Sequence, residues 1–393
     1  MSPQTLAFAL LQLLLFLAVG WVVGNWFVDR LGVTSLQDLV GAPERMLFAI
    51  VGGIAFAVVA MVVNIVTGGA IFGVAVFVPL AAACLLIGGR ARFHRPRGLP
   101  WIPIVLLVGV LLALYLAPVL AGGSGVRSGD SPWHLGWSQQ LLAGEPVPTG
   151  PVPSLGRNAY PWGWHAVIAT VVRLVPGSEV LAAYEFLHLL LLIGVPLAGA
   201  ALARRLDASA GWAGAAAITV VGGFGWLGAD KATFFTTPEQ ARFGADLVVA
   251  SPNSVYGLFP PALPRELGVV LLAACCVLLF FAASGEGRSF AFGAGVVAGL
   301  LGVVSVPLFV SALVWFVAVA LVGRKEVRLK LAWFFVPTLL VFLLWLGLDH
   351  RLHPVRWLRR HHTGSRSRVV VADRAAVVGA PPTRGDRRDM AGE

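Results

Sequence analysis

The sequence predicts a polytopic α-helical membrane protein, and three observations support this fold class. The 393-residue chain is 58% hydrophobic and only 12% charged, with a mean hydropathy of +0.84, which is far from the composition of soluble domains. Apolar runs recur along it at the length that a helix needs to cross a bilayer, roughly 20 residues. Because these runs are continuous and do not alternate with polar residues, they do not fit a membrane β-barrel.

The apolar runs predict an all-α bundle of about ten transmembrane spans. In chain order the spans are 6–28, 46–66, 71–89, 101–121, 181–203, 208–227, 267–284, a tight pair within 290–323, and 331–348. The first is interpreted as a retained helix, because it lacks the basic start and the small-residue cleavage site of a signal peptide. Pro307 predicts a break in the middle of the pair, since proline interrupts a continuous helix. A shorter stretch, 162–176, predicts a helix embedded in the outer leaflet.

Basic residues predict which connections face the cytoplasm. Lys and Arg cluster in the short connections 90–97, 204–205 and 324–330, and the positive-inside rule places such clusters in the cytoplasm. Since spans alternate in direction, the long loops 122–180 and 228–264 then share the extracytoplasmic face. Two long loops on one face predict one composite site.

Composition divides the chain into three segments. Residues 1–100 form an N-terminal three-span segment, and residues 101–348 form the transmembrane core. Residues 349–393 contain ten Arg and no Lys, which is typical of a basic, disordered tail or of a truncated or frame-shifted end. The net charge of +10 comes largely from this tail and the cytoplasmic connections, so it indicates contact with membrane lipids and not with nucleic acid. The excess of Arg over Lys favours a GC-rich, bacterial genome.

The loop 122–180 holds the first candidate catalytic residues. Its segment GDSPWHLGWSQQLLAG predicts a helix that starts at Ser131, because proline at the next position suits a first helical turn. Asp130 and His134 are four residues apart and therefore share one face. Two interpretations stay open: Asp130 caps the helix and His134 is incidental, or Asp130 is a general base that His134 orients or assists at the substrate.

The same residues also suit a metal site with a divalent cation. Asp130 and His134 supply two ligands from one helical turn, and His165 in NAYPWGWHAV is a third candidate. No other residue fixes the geometry of such a site, so the metal stays an alternative and no cofactor is assigned.

The second outer loop leads to the other candidate binding residues, Arg265 and Glu266, at the start of a span. A guanidinium is well shaped to hold a lipid-linked phosphate, and Arg157 in the first loop is a weaker candidate for the same role. The alternative is a snorkelling Arg265 beside a helix-start Glu266.

Glu185 and His188 lie on one face near the start of the span 181–203. Ionisable groups inside a membrane are costly and usually face the protein interior or a cavity. A mutual hydrogen bond and a role in a substrate cavity both explain this pair.

Together these motifs resemble the GT-C superfamily of integral membrane glycosyltransferases. The resemblance rests on Asp130 directly after a span, on its D-x3-H spacing, and on NAYPWGWHAV followed by LAAYEF and ALARRL. Members of that family carry a catalytic acidic residue in the first large extracytoplasmic loop and use polyprenyl-phosphate sugars. The chain is most similar to the actinobacterial envelope enzymes, and it departs from several members in its three leading spans and in lacking a soluble C-terminal domain.

The resemblance implies transfer of a sugar from a polyprenyl-phosphate donor to a cell-envelope glycan or lipid acceptor, at the outer face of a bacterial plasma membrane. It implies that Asp130 accepts the proton of the acceptor hydroxyl and that Arg265 holds the leaving phosphate. Tyr160, Trp162 and His165 would form the pocket walls, since aromatic rings suit sugar faces. Two rival functions remain: a transporter of lipid-linked sugars, and a non-catalytic partner in envelope assembly.

Overall fold

The computed structural model describes residues 2–31, 42–66, 101–120, 131–143, 162–220, 264–284, 287–323 and 325–345. The helices are α1 (Pro3–Arg30), α2 (Ala42–Val66), α3 (Trp101–Leu120), α4 (Ser131–Leu142), α5 (Gly163–Leu174), α6 (Val180–Leu206), α7 (Gly211–Val220), α8 (Pro264–Ala283), α9 (Arg288–Val304), α10 (Val306–Val322) and α11 (Lys325–Leu331), followed by a 3-10 turn (Ala332–Phe334) and α12 (335–345). No strand occurs among these residues, which confirms the all-α prediction for this part of the chain. All of them belong to one compact unit, Met1–Leu346, and a second unit, Gly347–Glu393, lies outside the described ranges.

Five helical segments of the described chain are long and apolar enough to cross a membrane. They are Pro3–Arg30, Pro43–Val63, Val180–Leu206, Pro264–Ala283 and Arg328–Trp345. Each of them coincides with a predicted span. The predicted span 71–89 lies outside the described residues, and the span 208–227 is described only as the ten-residue α7. The count of ten spans therefore stays a prediction.

Helix α6 is the centre of the bundle. It packs against α1, α2, α3, α4, α5, α7 and α8, and its residues between Ala182 and Ala201 are almost all buried. A helix that is apolar on every side is stable only when other elements cover all of its faces. The candidate side chains near its start, Glu185 and His188, therefore lie inside the protein.

Glycines bring the backbones of α1 and α2 into contact. A Cβ added to Gly20 would overlap the carbonyl oxygen of Ala49, and one added to Gly24 would overlap that of Phe48. Small residues at such positions let membrane helices approach closely and gain van der Waals contact. The two helices are therefore packed at a distance that only glycine permits.

Helices α9 and α10 are separated at Ser305, whose φ of −153° and ψ of 102° are extended. The sequence predicted this break at Pro307, but the proline lies in the first turn of α10. Proline is tolerated there because the N–H groups of a first turn have no helical partner. The predicted pair of short helices is confirmed, with its break two residues earlier than expected.

One end of the bundle is rich in arginine. Glu44, at the start of α2, is fully buried and pairs with Arg204 at 3.1 Å and with Arg205 at 2.7 Å, at the end of α6. The Arg205 guanidinium also lies over the Phe281 ring, 4.6 Å from its centroid. The start of α2 and the end of α6 therefore meet at one end, as alternating spans predict. The side of the membrane that this end faces stays a prediction.

Candidate functional site

The predicted site residues fall into two groups. Within the described residues lie His134, Trp162, His165, Arg265 and Glu266. Outside them lie Asp130, Arg157 and Tyr160. The assignment of Asp130 as the base therefore stays a prediction, as do the roles of the other two residues in this second group.

His134 and His165 meet where α4 packs against α5. The His134 Nδ1 lies 3.0 Å from the His165 Nε2, and the two stacked rings have centroids 5.2 Å apart. Only 5% of His134 and 1% of His165 is exposed. At this distance one nitrogen donates and the other accepts, so a hydrogen bond joins the two imidazoles. The sequence suggested both residues as ligands of one metal but not this direct bond, which spans 31 residues of chain.

Two tryptophans enclose the histidine pair. Trp137 lies edge-on to both imidazoles, with ring centroids 5.4 Å from His134 and 5.3 Å from His165. Trp164 contacts the same two rings, at 5.2 and 5.1 Å. The pair therefore lies in apolar surroundings, where a hydrogen bond is electrostatically stronger than in water.

Burial lowers the pKa of His165 well below its usual range. The nearby His134 lowers this pKa further, and the backbone of Trp162 acts in the opposite direction without offsetting the two. A histidine in this state is neutral at pH 7 and carries one ring proton. His165 is therefore a neutral hydrogen-bond partner for His134.

A second polar cluster joins α3 to α6 next to the histidine pair. The Tyr115 hydroxyl donates to the Glu185 Oε2, and the His188 Nδ1 lies 3.7 Å from the same oxygen. The Tyr184 ring lies between the two clusters, with its centroid 4.8 Å from that of His188 and 6.4 Å from that of Trp164. All of these side chains are buried.

The structure changes the interpretation of Glu185 and His188. The 3.7 Å between Nδ1 and Oε2 is longer than a hydrogen bond, and Oε2 instead accepts from Tyr115 of another helix. Sequence reasoning missed Tyr115, because a tyrosine in a leucine-rich span is also a common core residue. The one sequence signal for Tyr115 is its hydroxyl, which needs a hydrogen-bond partner when the ring is buried.

Arg265 and Glu266 lie in the first turn of α8. Glu266 is fully buried, whereas 35% of the Arg265 side chain is exposed and its guanidinium lies 3.2 Å from the Glu266 Oε1. This pairing agrees with the snorkelling interpretation of the arginine. The exposed part of the guanidinium can also meet an anion, so both interpretations of Arg265 stay open.

The starts of α5 and α8 both lie beside the break at Ser305. A Cβ added to Gly163 of α5 would lie 2.8 Å from the Val303 carbonyl oxygen, and one added to Gly268 of α8 would lie 3.0 Å from the Ser305 Cβ. The histidine pair and the arginine of α8 are therefore at the same end of the bundle. This arrangement agrees with the prediction that the two long loops share one face.

Trp162 directly precedes α5 and is buried at the same end of the bundle. Its indole Nε1 has no hydrogen-bond partner within the described ranges. Buried donors in proteins are nearly always bonded. This N–H therefore suits a ligand oxygen or a residue outside those ranges, in keeping with the predicted role of Trp162 as a pocket wall.

The metal alternative has only partial support in geometry. Among the described residues, no group of three or more His, Cys, Asp or Glu side chains could hold a metal ion. The His134 Nδ1 and the His165 Nε2, 3.0 Å apart, are also close enough to bind one cation together in place of the shared proton, since metal–nitrogen bonds are about 2.1 Å long. Because Asp130 lies outside the described residues, a divalent-cation site stays a prediction.

No family model, no curated protein and no solved structure matches the chain.

Proposed function

We propose that the chain is an integral membrane glycosyltransferase that moves a sugar from a polyprenyl-phosphate donor to a cell-envelope glycan or lipid acceptor. The observation that carries the proposal is the buried His134–His165 pair, at the same bundle end as the partly exposed Arg265. A base in an apolar site and a cation near the membrane surface are the two groups that such a transfer needs. The resemblance of NAYPWGWHAV and its neighbouring motifs to the GT-C superfamily adds support.

The proposed reaction exchanges one bond and moves one proton. The acceptor hydroxyl oxygen attacks the anomeric carbon, the bond from that carbon to the phosphate oxygen breaks, and the polyprenyl phosphate leaves with the electron pair. The hydroxyl proton passes to a general base at the start of α4, where Asp130 and His134 are the candidates. Arg265 holds the leaving phosphate, because a guanidinium matches the geometry of phosphate oxygens.

Aromatic side chains are proposed to hold the sugar. Tyr160 and Trp162 precede the start of α5 in sequence and offer flat apolar faces with a polar edge, which suits the amphipathic faces of a sugar ring. Arg157, in the same segment, is a second cation for the phosphate. His165 lines this pocket through its ring beside Trp164.

A transfer assay tests the proposal with purified protein in lipid, a panel of polyprenyl-phosphate sugars and an envelope acceptor extract. We expect transfer from at least one donor and its loss in the double variant Asp130→Asn/His134→Gln, because loss of a general base typically costs about 10²–10⁴-fold in rate. Arg265→Lys keeps the charge but loses the planar fork, so it should raise the KM for the donor more than it lowers kcat.

Val314→Ala is the matched control for this assay, because Val314 lies on the exposed surface of α10. It should transfer sugar at the wild-type rate. Absence of transfer from every donor contradicts the proposal. Transfer by the folded double variant at the wild-type rate contradicts it as well.

One observation favours a second function, the movement of a lipid-linked sugar across the membrane. Tyr115, Glu185 and His188 place ionisable groups inside the apolar bundle, and such groups often mark a substrate or proton path. Vesicles containing the protein would then move a fluorescent polyprenyl-phosphate sugar between leaflets, and Glu185→Gln would slow this movement. Movement without chemical transfer supports the transporter over the transferase.

A further inference from the structure

We infer that Arg173, near the end of α5, is a positioning residue that sets where the start of α4 lies, and with it the candidate base His134. Arg173 touches neither the sugar nor the phosphate of the proposed reaction, and it acts through α4. The chemistry assigned to the start of α4 rests on the proposed function, whereas the placement of α4 by Arg173 does not.

Helices α4 and α5 run parallel and in register. At their starts, the His134 Nδ1 lies 3.0 Å from the His165 Nε2. At their ends, a guanidinium nitrogen of Arg173 donates to the carbonyl oxygen of Leu142, 2.7 Å away. The residues of each pair are 31 apart in the chain, so the two contacts lie at matching positions along the helices. One polar contact therefore joins the two helices near each end.

The bundle holds α5 firmly. This helix packs against α1, α2, α6 and α9, and its residues from Gly163 to Val171 are all buried. The buried Gln12 of α1 donates through its Nε2 to the Ser178 hydroxyl at 2.9 Å and to the Val171 carbonyl oxygen at 3.4 Å. The same hydroxyl donates to the Val172 carbonyl oxygen at 3.2 Å. Because the last carbonyls of a helix have no partner within it, these bonds fix the end of α5 to α1.

Helix α4 is attached to the bundle through α5 and, less extensively, through α6. The carbonyls of its last turn also need partners from outside the helix, and Arg173 supplies one at Leu142. A basic side chain at this end also interacts favourably with the helix dipole. Arg173 therefore fastens the end of α4 to a helix that is itself fixed.

The register of the two helices decides where His134 lies. A slip of one residue would move His134 about 1.5 Å along the helix and turn it by about 100°. Its ring would then leave His165 and Trp164, which it now contacts. A misplacement of about 1 Å at a reacting group costs up to about 10²-fold in rate. The bond at the end of α4 therefore matters for the chemistry at its start.

Hydrogen exchange in lipid nanodiscs, followed by mass spectrometry of peptides from α4 and α5, tests the order of these attachments. Arg173→Met keeps an apolar stem but loses the donors, so α4 should exchange about tenfold faster while the exchange rate of α5 stays unchanged. Gln12→Leu removes the bonds at the end of α5, so both helices should exchange faster. Arg173→Lys keeps a donor and should leave both rates near those of the wild type.

Arg328→Met is the matched control. Arg328 is likewise an exposed arginine at a helix end, because its guanidinium donates to the carbonyl oxygens of Leu321 and Gly323 at the end of α10, both at 2.9 Å. It belongs to α11, which packs against α8, α9 and α10. The change should leave the exchange rates of α4 and α5 and the rate of sugar transfer unchanged.

The kinetics of sugar transfer provide a second readout. Arg173→Met should lower kcat by up to about 10²-fold with a smaller change in the KM for the donor, because the base is displaced while the donor site remains. Arg173→Lys should retain most of kcat, since its ammonium can still donate to the Leu142 carbonyl oxygen.

The outcomes separate this inference from the proposed function. Unchanged exchange of α4 in folded Arg173→Met overturns the inference, and so does sugar transfer by this variant at the wild-type rate. An equal increase in the exchange of α5 overturns it as well, because Arg173 would then stabilise α5 itself. Where Arg173→Met does not fold, Arg173→Gln, which is too short to reach the Leu142 carbonyl oxygen, replaces it with the same expectations. The expected exchange pattern without sugar transfer from any donor overturns the proposed function alone.

Discussion

Several buried polar side chains of this bundle are bonded to partners on other helices. His134 bonds to His165, Tyr115 bonds to Glu185, and Glu44 pairs with arginines of α6. A buried polar group that loses its partner costs roughly 1–3 kcal/mol, so such pairs restrict how the helices pack. The sequence pointed to His134, His165 and Glu185 but to neither Tyr115 nor Glu44. It does not indicate their partners, which lie 31, 70 and 160 residues away.

Local spacing predicted where helix α4 begins. Helix α4 starts at Ser131, as the Ser-Pro pair indicates, because proline presets the backbone angle of a first helical turn. The contact of His134 with α5 is tertiary and follows from no spacing along the chain. Asp130 precedes this helix outside the described residues, so its role depends on experiment.

Separate substitutions at the start of α4 should rank the two candidate bases. We expect the substitution that removes the base, either His134→Gln or Asp130→Asn, to lower kcat by about 10²–10⁴-fold and the other to cost less. Asparagine caps a helix start about as well as aspartate, so Asp130→Asn should leave the melting temperature unchanged. Transfer rates of the purified variants in lipid are the measurement. A larger loss in Asp130→Asn would make the aspartate the base and His134 its helper.

Tyr115→Phe should destabilise the attachment of α3 to α6. The change removes the hydroxyl that donates to the buried Glu185 carboxyl, at a cost of about 1–3 kcal/mol. In a Glu185→Gln background the same change should cost less, because the carboxyl that accepts this hydrogen bond is already gone. The free energies of unfolding of the wild type, the two single variants and the double variant, measured in detergent, give the coupling energy between Tyr115 and Glu185. Additive effects would mean that the hydroxyl and the carboxyl do not stabilise each other.

At the scale of helices, the length of the apolar runs predicted the long elements well. The predicted spans 6–28 and 181–203 correspond to Pro3–Arg30 and Val180–Leu206, and the structure extends each by a few residues. Helix ends are harder to predict, because proline suits a first turn as well as it breaks a helix, which is why the break lies at Ser305. The central place of α6 depends on tertiary packing, which hydropathy does not report.

Gly24→Ala should destabilise the protein through the contact of α1 with α2. An added Cβ would overlap the Phe48 carbonyl oxygen, so the two helices must separate, at a cost of about 1–3 kcal/mol. Gly109→Ala on α3 is the matched control, because nothing lies within 4 Å of its added Cβ. The control should be neutral or more stable, since alanine favours a helix over glycine by roughly 1 kcal/mol. Thermal melting in detergent compares the two. Equal melting temperatures would contradict the close contact.

At the scale of the whole molecule, the two ends of the bundle have different chemistry. One end holds buried Glu44 between the arginines that follow α6, and the other holds the histidine pair and Arg265. The number of Lys and Arg residues in each connection predicted which helix ends lie together. This was possible because the charge of a connection can be read from its own short sequence. The depth of the histidine pair could not be predicted in this way, since it depends on how α4 and α5 cover α6.

Cysteine labelling of intact cells should show that the histidine end faces outward. In a background without the three native cysteines, Ser154→Cys lies in the loop 122–180 and should react with an impermeant reagent. Ala208→Cys, exposed just after α6, should react only after permeabilisation, because arginine-rich connections stay in the cytoplasm. Arg92→Cys, in the basic connection 90–97, is a second inner probe with the same expected result. Labelling of the two inner probes in intact cells, with Ser154→Cys protected, would place the histidine pair in the cytoplasm and contradict sugar transfer at the outer face.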